Sequence, residues 1–575
     1  MRAIHRGSVL KGILLCSALA LSSMSHLAAA SSAAPATPAP AGNPHAATTY
    51  ECAGLYWKTP DAGECRVRVR QKGASAWKQA LSLVYDARDS EYRGSVVGLK
   101  PDTAYEAELT VGEKTTPVAF RTRADRFPVG KTTIIPAGET TETFVITESG
   151  TPEAYHLVTV APGTRSTIDL RNRAPHGIEV KASYVILRGL EVRNAGVHGI
   201  VIRAEQHDIV VEECHTIFWG RIGGAMSFGN EGNVDSGIMA ERGTRNLTLQ
   251  RNLIEHPRGA SNDWDTGHPA GPQGISIMHS LGGNVIRYNE IWSTEDHGFN
   301  DAIGGGSNFS DQGNLNRDSD VYGNILRNVW DDAIEAEGAN MNVRIWGNYM
   351  HQFYVGIATA ATYKGPLYVF RNVTGSSRRT HLNPAGGNMI KTGDRDFGGG
   401  RRLVFHNTAL QPGGVVNIFS APTPNCVSRN NIFEAPGKLA PTLEPGSVPD
   451  DHDYNLFNGA ELGGARMQHG VVNIRLRSAY IASYRLEFYP ASTVTGVKIG
   501  KIPVKFGHEE KVVTDPVLLL PNPAIDSGER LPGFNDDFAG KAPDLGAFEI
   551  GRPSLEYGRR AYLKHDQGWA AWERY

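Results

Sequence analysis

The chain has 575 residues, a formal net charge of -2 and a pI of about 6.8. That length exceeds one ordinary core, so several domains or a repeat array are expected. The near-neutral balance offers no electrostatic footprint for nucleic acid or an anionic membrane. With 65 glycines and 8% aromatic residues, the composition fits turns and short strands better than helical bundles.

The first 30 residues, with a basic start, an apolar stretch and an Ala-rich end, have the layout of a secretory signal peptide cleaved near Ala30. The apolar run is too short for a membrane anchor. A secreted or periplasmic protein is therefore expected. Cys16 leaves with the leader, and in an oxidising compartment Cys52 and Cys65 could form a local disulfide. Cys214 and Cys426 are expected as buried thiols.

Residues 31–49, "SSAAPATPAPAGNPHAATT", read as an Ala/Pro linker. Short alternating stretches then follow, among them "CRVRVRQK" and "YRGSVVGLKPDTAYEAELTVG", which predict a small β-sandwich over 50–124. The phrase "GLKPDTAYEAELTV" resembles the fibronectin type III signature, in which Leu99, Pro101 and Tyr105 form the corner before a core strand. That resemblance implies a spacer or a substrate-side wall.

From about residue 155 internal repetition dominates. One phrase ends in Asn, at Asn172, Asn194, Asn252, Asn289, Asn324, Asn348, Asn372, Asn407, Asn431 and Asn455. The other is a short strand anchored by Ile178, Ile200, Ile238, Ile275, Ile303, Ile334, Ile357 and Ile390. The plain repeat, Asn172 to Asn194, is 22 residues, long enough for one turn of a parallel β-helix. Asn side chains at one corner can hydrogen-bond along the stack. The region resembles the pectate-lyase-like family of right-handed parallel β-helices over about 130–550, leaving 551–575 as a tail. The expected fold is all-β, a right-handed parallel β-helix behind a small fibronectin type III-like sandwich.

Spacing between the two phrases places insertions at one corner, over the middle coils. The loops there are chemically dense: "EHPRGASNDWDTGHPAGPQ" (255–273), "WSTEDHGFNDAIGGGSNFSDQGNLN" (292–316) and "GSSRRTHLNPAGGN" (375–388). Taken singly, each acid or histidine reads as a solvated loop residue; the cluster together reads as a site. In "NVWDDAIEAEGAN" (328–340) the carboxylates Asp331, Asp332, Glu335 and Glu337 fall within seven residues. Alternation sends Ile334 inward and Glu335 and Glu337 outward. Small residues on the coils before (Gly304 to Gly306) and after (Ala358, Ala360) leave the acids in a trough. Lys391 is expected at the Glu335 position two coils on, and Asp301 beside Asp332 on adjacent coils.

Asp301, Asp332, Glu335, Glu337 and Lys391 are thus the candidate catalytic residues. Asp263, Asp265, His268, Asp296, His297, Arg378, Arg379, Asp394 and Arg395 are candidates for substrate binding. The preferred reading is a glycosidase using one protonated and one ionised carboxyl group, with no cofactor. "WDDAIEAEG" is loosely similar to the paired aspartates of β-helix polygalacturonases, but that family's NTDG and GHG phrases are absent, so no roles carry over. The second reading is a lyase acting by β-elimination on a uronate, with Lys391 as base, calcium on Asp301, Asp332 and Glu335, and Arg378, Arg379 and Arg395 as clamps. The third is a non-catalytic polysaccharide-binding or adhesin β-helix. A polysaccharide is the expected partner, and a monomer the expected state.

Overall fold

The computed structural model describes residues 42–61, 63–222, 234–306, 310–375, 377–378, 380–382, 386–392, 399–410, 425–434, 451–458, 467–472, 523–552 and 555–561. The protein is all-β apart from short helical turns. A seven-stranded antiparallel unit precedes a right-handed parallel β-helix. Among the described residues no helix is long and apolar enough to cross a membrane.

In the amino-terminal unit, strands alternate buried and half-buried residues, as in Ala104–Val111, and close over a core of Leu55, Val67, Ala107 and Leu109. Tyr105 stands at the start of that strand, and its Oη accepts the Lys100 N–H at 2.9 Å. The first strand, His45–Thr48, falls inside the stretch read as linker and pairs with Ala53–Lys58. The expected Cys52–Cys65 disulfide is absent: both thiols are free and buried. Cys65 joins the core of the seven-stranded unit, whereas Cys52 joins a separate cluster with Tyr368 and Phe370 of the β-helix. Cys214 and Cys426 are free and buried, as expected.

Each central coil contributes three strand positions. The first builds a twelve-stranded parallel sheet running from Val129–Ile135 to Asp451–Asp453. The second and third share a twenty-stranded sheet. In the coils of Ile325–Glu335 and Tyr349–Ala358 these two merge into one long strand. The isoleucine anchors pair in unbroken register, from Ile178 with Ile200 to Ile357 with Ile390, and fill the core.

Eight asparagines, from Asn252 to Asn455, form one column. Asn348 Oδ1 accepts Asn324 N–H at 3.1 Å and its Nδ2 at 2.9 Å, and this pattern repeats along the stack. Asn172 and Asn194 stand at a different corner. In the column the residue before Asn is left-handed, as at Arg251 (φ 56°) and Arg371 (φ 53°). At 172 and 194 the asparagine itself is, with φ 60° and 50°. Both corners need short polar turn residues, so the two phrases look alike.

The amino-terminal unit docks on the twelve-stranded sheet, away from the third strand position. Tyr56 Oη donates to Asp318 Oδ1 at 2.8 Å, and Tyr322 Oη to Glu51 Oε1 at 2.8 Å. The buried Arg344–Asp320 pair lies beneath, with Thr49 Oγ1 donating to Asp320 Oδ2. The unit is therefore a fixed buttress on another face, not a wall of the acid groove. Beyond the coils, Ala547, Phe548, Leu555 and Tyr557 pack on Ile325, Tyr349 and Val373. Residues read as a tail thus cover the second strand position.

Candidate active site

The acids lie on the outer side of the third strand position. A register shift separates Val329, opposite Phe353, from Asp332, opposite Val355. The extra residue is a bulge, which breaks strict alternation. It lets Asp331 and Asp332, consecutive in sequence, face the same site. One oxygen each of Asp301, Asp331 and Asp332 lies within 4.8 Å of the others. Alternation alone does not place Asp331 here, so its part in the trio is a finding of the structure.

Glu335 and Glu337 point away from the core, as expected, but they are not exposed. Both are buried, at 4% and 2% exposure, as are Asp301, Asp331 and Asp332. Gly304 borders them from the preceding coil: a Cβ there would lie 3.1 Å from Glu335 Oε2 and 3.0 Å from Asp301 Cβ. Lys391 follows Ala358 in register, two coils beyond Glu335. Its Nζ lies 2.9 Å from Asp332 Oδ2 and 3.0 Å from Glu337 Oε1.

Hydrogen bonds separate the acids into two kinds. Asp301 Oδ2 accepts from Gln273 Nε2 (3.0 Å) and Asn300 Nδ2 (2.8 Å), and its Oδ1 accepts Asp332 N–H (3.1 Å). Ser276 Oγ donates to Gln273 Oε1 at 2.5 Å, which fixes the amide with its NH₂ toward Asp301. Glu335 Oε2 accepts Gly305 N–H at 2.9 Å and Asn314 Nδ2 at 3.3 Å. In contrast, Asp331 Oδ1, Asp332 Oδ1 and Glu337 Oε1 are buried with no hydrogen-bond donor among the described residues, Glu337 Oε1 having only its ion pair with Lys391. Gln273, which opens the strand Gln273–Ile277, and the loop residues Asn300 and Asn314 carry no distinctive sequence signal as site residues.

Burial, with the neighbouring carboxylates adding to it, raises Asp301 and Asp331 well above the usual carboxylate range. The same causes push Glu335 up to about 7 and Glu337 up to about 8. Burial alone would lower Lys391, but Asp332 and Glu337 outweigh it and hold the ammonium well above the ordinary lysine range.

The remaining candidates fall into three groups. His268 approaches the acids, with Nε2 3.6 Å from Asp331 Oδ2. Its Nδ1 donates to Pro269 O at 2.9 Å, and burial holds the imidazole below its usual range. Asp263, Asp265, Asp296, His297 and Arg378 are engaged elsewhere. Asp263 caps its own turn through Asp265 N–H (3.2 Å). Asp265 ties this loop to the 375–388 loop, accepting Leu382 N–H at 2.9 Å and His381 N–H. Asp296 and His297 share a 3-10 turn and face each other at 3.8 Å. Arg378 donates through Nη1 to Asn328 Oδ1 (3.0 Å) and lies over Trp330, 3.5 Å from the ring centroid, while its buried Nε has no hydrogen-bond partner among the described residues. Arg379, Asp394 and Arg395 lie outside the described residues.

No protein-family model matches the chain, and no curated protein does. Solved structures do. A GH87 alpha-1,3-glucanase variant catalytic domain in complex with tetrasaccharides is 13% identical, covering 75% of this chain and 90% of that one, with a TM-score of 0.36. A PL6 family polysaccharide lyase from Pseudopedobacter saltans is 11% identical over 67% of this chain and 95% of that one, at 0.38. A tailspike double mutant of E. coli bacteriophage HK620, bound to a pentasaccharide, is 11% identical over 60% and 71%, at 0.34.

Proposed function

We propose that this protein is a carbohydrate-active enzyme that hydrolyses glycosidic bonds in a polysaccharide, with Asp331 and Asp332 as the pair that meets the bond. One observation carries the reading: the adjacent Asp331 and Asp332 each hold a buried oxygen, Oδ1, with no hydrogen-bond donor among the described residues. Asp331, raised by burial, supplies the proton to the glycosidic oxygen. Asp332 binds Lys391 through Oδ2 and presents Oδ1 as the carboxylate. Asp301 and Glu335 hold the pair in place, and Glu337 positions Lys391.

A uronate lyase is the second reading, favoured by the aspartate trio. Asp301, Asp331 and Asp332 each offer a hard oxygen of the kind calcium takes. Of the calcium set expected from sequence, Asp301 and Asp332 belong to this trio, Asp331 joins them, and Glu335 stands outside it with Oε2 on Gly305 N–H and Asn314 Nδ2. Lys391 fits poorly as the base: an ammonium held between two carboxylates gives up its proton reluctantly. The seven-stranded unit we read as fibronectin type III-like, on its strand order and the Tyr105–Lys100 corner.

The test is incubation with neutral glucans, xylans, chitosan, polygalacturonate and alginate, reading reducing ends and unsaturated uronates together, with and without chelator. Hydrolysis predicts new reducing ends, no unsaturated product, indifference to chelator, and loss of activity in Asp331→Asn and Asp332→Asn. Unsaturated products that vanish with chelator would establish the lyase instead. No cleavage of any polymer would leave a binding protein.

A further inference from the structure

We infer that the groove takes a neutral polysaccharide, gripped by stacking at the Trp264–Tyr354 aromatic pair rather than by ion pairs to uronate carboxylates. The inference rests on glycosidic hydrolysis at Asp331 and Asp332 and names the substrate class for that site.

The first support is the engagement of the basic side chains. A uronate polymer brings a carboxylate on every ring, and each needs a cation near the floor of the groove. Around the acids, among the described residues, each of these basic side chains already has a partner, and of the arginines there only Arg378 keeps a buried nitrogen, Nε, without one. Lys391 is shared by Asp332 and Glu337. Arg378 is buried over Trp330 and bonded to Asn328. Arg327 Nε donates to Gln352 Oε1 at 3.0 Å. His268 uses Nδ1 on Pro269 O. Five buried carboxyl groups meanwhile line the floor. A uronate carboxylate brought there loses its water while Lys391 is already shared between two acids, which is unfavourable.

The second support is aromatic. Trp264 and Tyr354 stack with centroids 5.5 Å apart and planes 30° apart, and Trp264 also lies 4.7 Å from the His268 ring. Both Trp264 and Tyr354 are half-buried, and His268 keeps 41% of its side chain exposed. Through His268 this rim reaches Asp331. Its loop comes from the Ile275 coil and meets Tyr354 on the Ile357 coil, three coils on, or about 14 Å at the usual strand spacing. Asn262 Oδ1, accepting Ala270 N–H at 2.9 Å, and the Asp265 bonds to the 381–382 backbone hold it in that arch. A rigid aromatic rim beside the acids suits the C–H face of an uncharged sugar ring, binding it by dispersion and apolar contact.

The test compares wild type, Trp264→Ala and Trp264→Phe on the same polysaccharide panel, at low and high salt. The expected result is cleavage of a neutral polymer with a KM that does not change with salt. Trp264→Ala should raise KM about three- to ten-fold with kcat retained, and Trp264→Phe should stay within about two-fold. Reducing ends released from polygalacturonate or alginate, but not from neutral glycans, would overturn the substrate class while leaving hydrolysis intact. An unchanged KM in Trp264→Ala would overturn the grip, as would joint loss of kcat and thermal stability, which marks a loop anchor. If no polymer in the panel is cleaved, the hydrolase reading itself fails and this inference falls with it.

Discussion

Lys391 Nζ lies 2.9 Å from Asp332 Oδ2, although two coils separate the lysine from the aspartate. A lysine reaches that far because Ala358, on the coil between, leaves the path along the strand face clear. The same ammonium serves Glu337 at 3.0 Å. It is the one cation in direct ion-pair contact with this set of acids among the described residues, so much of the site's electrostatics depends on it.

Removing it should be costly. Lys391→Met leaves Asp332 and Glu337 buried without their counter-charge, and breaking a buried pair from one side destabilises by about 3–5 kcal/mol. Adding Asp332→Asn to that variant should recover part of the loss, because the uncompensated charge goes with it. Denaturant unfolding of the two single variants and the double gives the coupling energy. Strict additivity would show that the ammonium is not what neutralises Asp332.

Stability should fall as the solution becomes more alkaline across the neutral range. Unfolded glutamates titrate near 4.3, whereas Glu335 and Glu337 are pushed up to about 7 and about 8 in the fold. Between those limits the folded state holds protons that the unfolded chain has released, so the slope of stability with pH is negative. The penalty is absent below about pH 4.3, grows toward about pH 8, and then levels. Melting temperatures across pH 5 to 9 check this, and Glu337→Gln should flatten the slope. A rise in stability over the same range would contradict the assignment.

The asparagine column makes a sharper stability prediction. Asn348 accepts two N–H bonds from Asn324, and its Nδ2 donates to Val321 O (2.9 Å) and Asn372 Oδ1 (3.0 Å), all buried. Asn348→Leu leaves the buried Asn324 backbone N–H without its acceptor and takes a donor from Val321 O and from Asn372 Oδ1, so a loss of about 2–4 kcal/mol is expected. The loss should exceed that of Asn194→Leu, whose side chain is half-buried at another corner and donates to Asp169. Equal losses would mean that the column adds nothing beyond a turn.

The sequence made the column and the isoleucine ladder legible because both repeat with every coil. A coil must bury one anchor and satisfy one corner, and chain alternation turns that requirement into a visible period. Lys391 was placed for the same reason, by counting from Ile390. What failed to show was whatever broke the period. Asp331 reaches the site through one extra residue between Val329 and Asp332, and nothing in "NVWDDAIE" marks it as a bulge. The burial of Glu335 and Glu337 is a property of the assembled loops, so their outward direction was legible and their solvent exposure was not. Cys52 and Cys65, close in sequence, were separated by belonging to different cores.

Gly304 offers a way to disturb the acids without touching one. Its position faces Asp301 and Glu335 directly, and a Cβ there would stand 3.0 Å from Asp301 Cβ and 3.2 Å from Asp301 Oδ2. Those contacts are tighter than a packed side chain tolerates, so the aspartate must move by a few tenths of an ångström. Asp301 cannot move alone, because it accepts the backbone N–H of Asp332 and the amides of Gln273 and Asn300. The shift therefore passes to Asp332, where small displacements of reacting groups are expensive in rate. Gly304→Ala should fold with a stability change below about 1 kcal/mol, while kcat falls about ten-fold or more. Gly304→Val, with two further methyl groups in the same space, should lose more activity again. Unfolding curves and initial rates on the polymer that wild type cleaves decide the matter. Full activity in Gly304→Ala would show that Asp301 does not hold the catalytic pair in place.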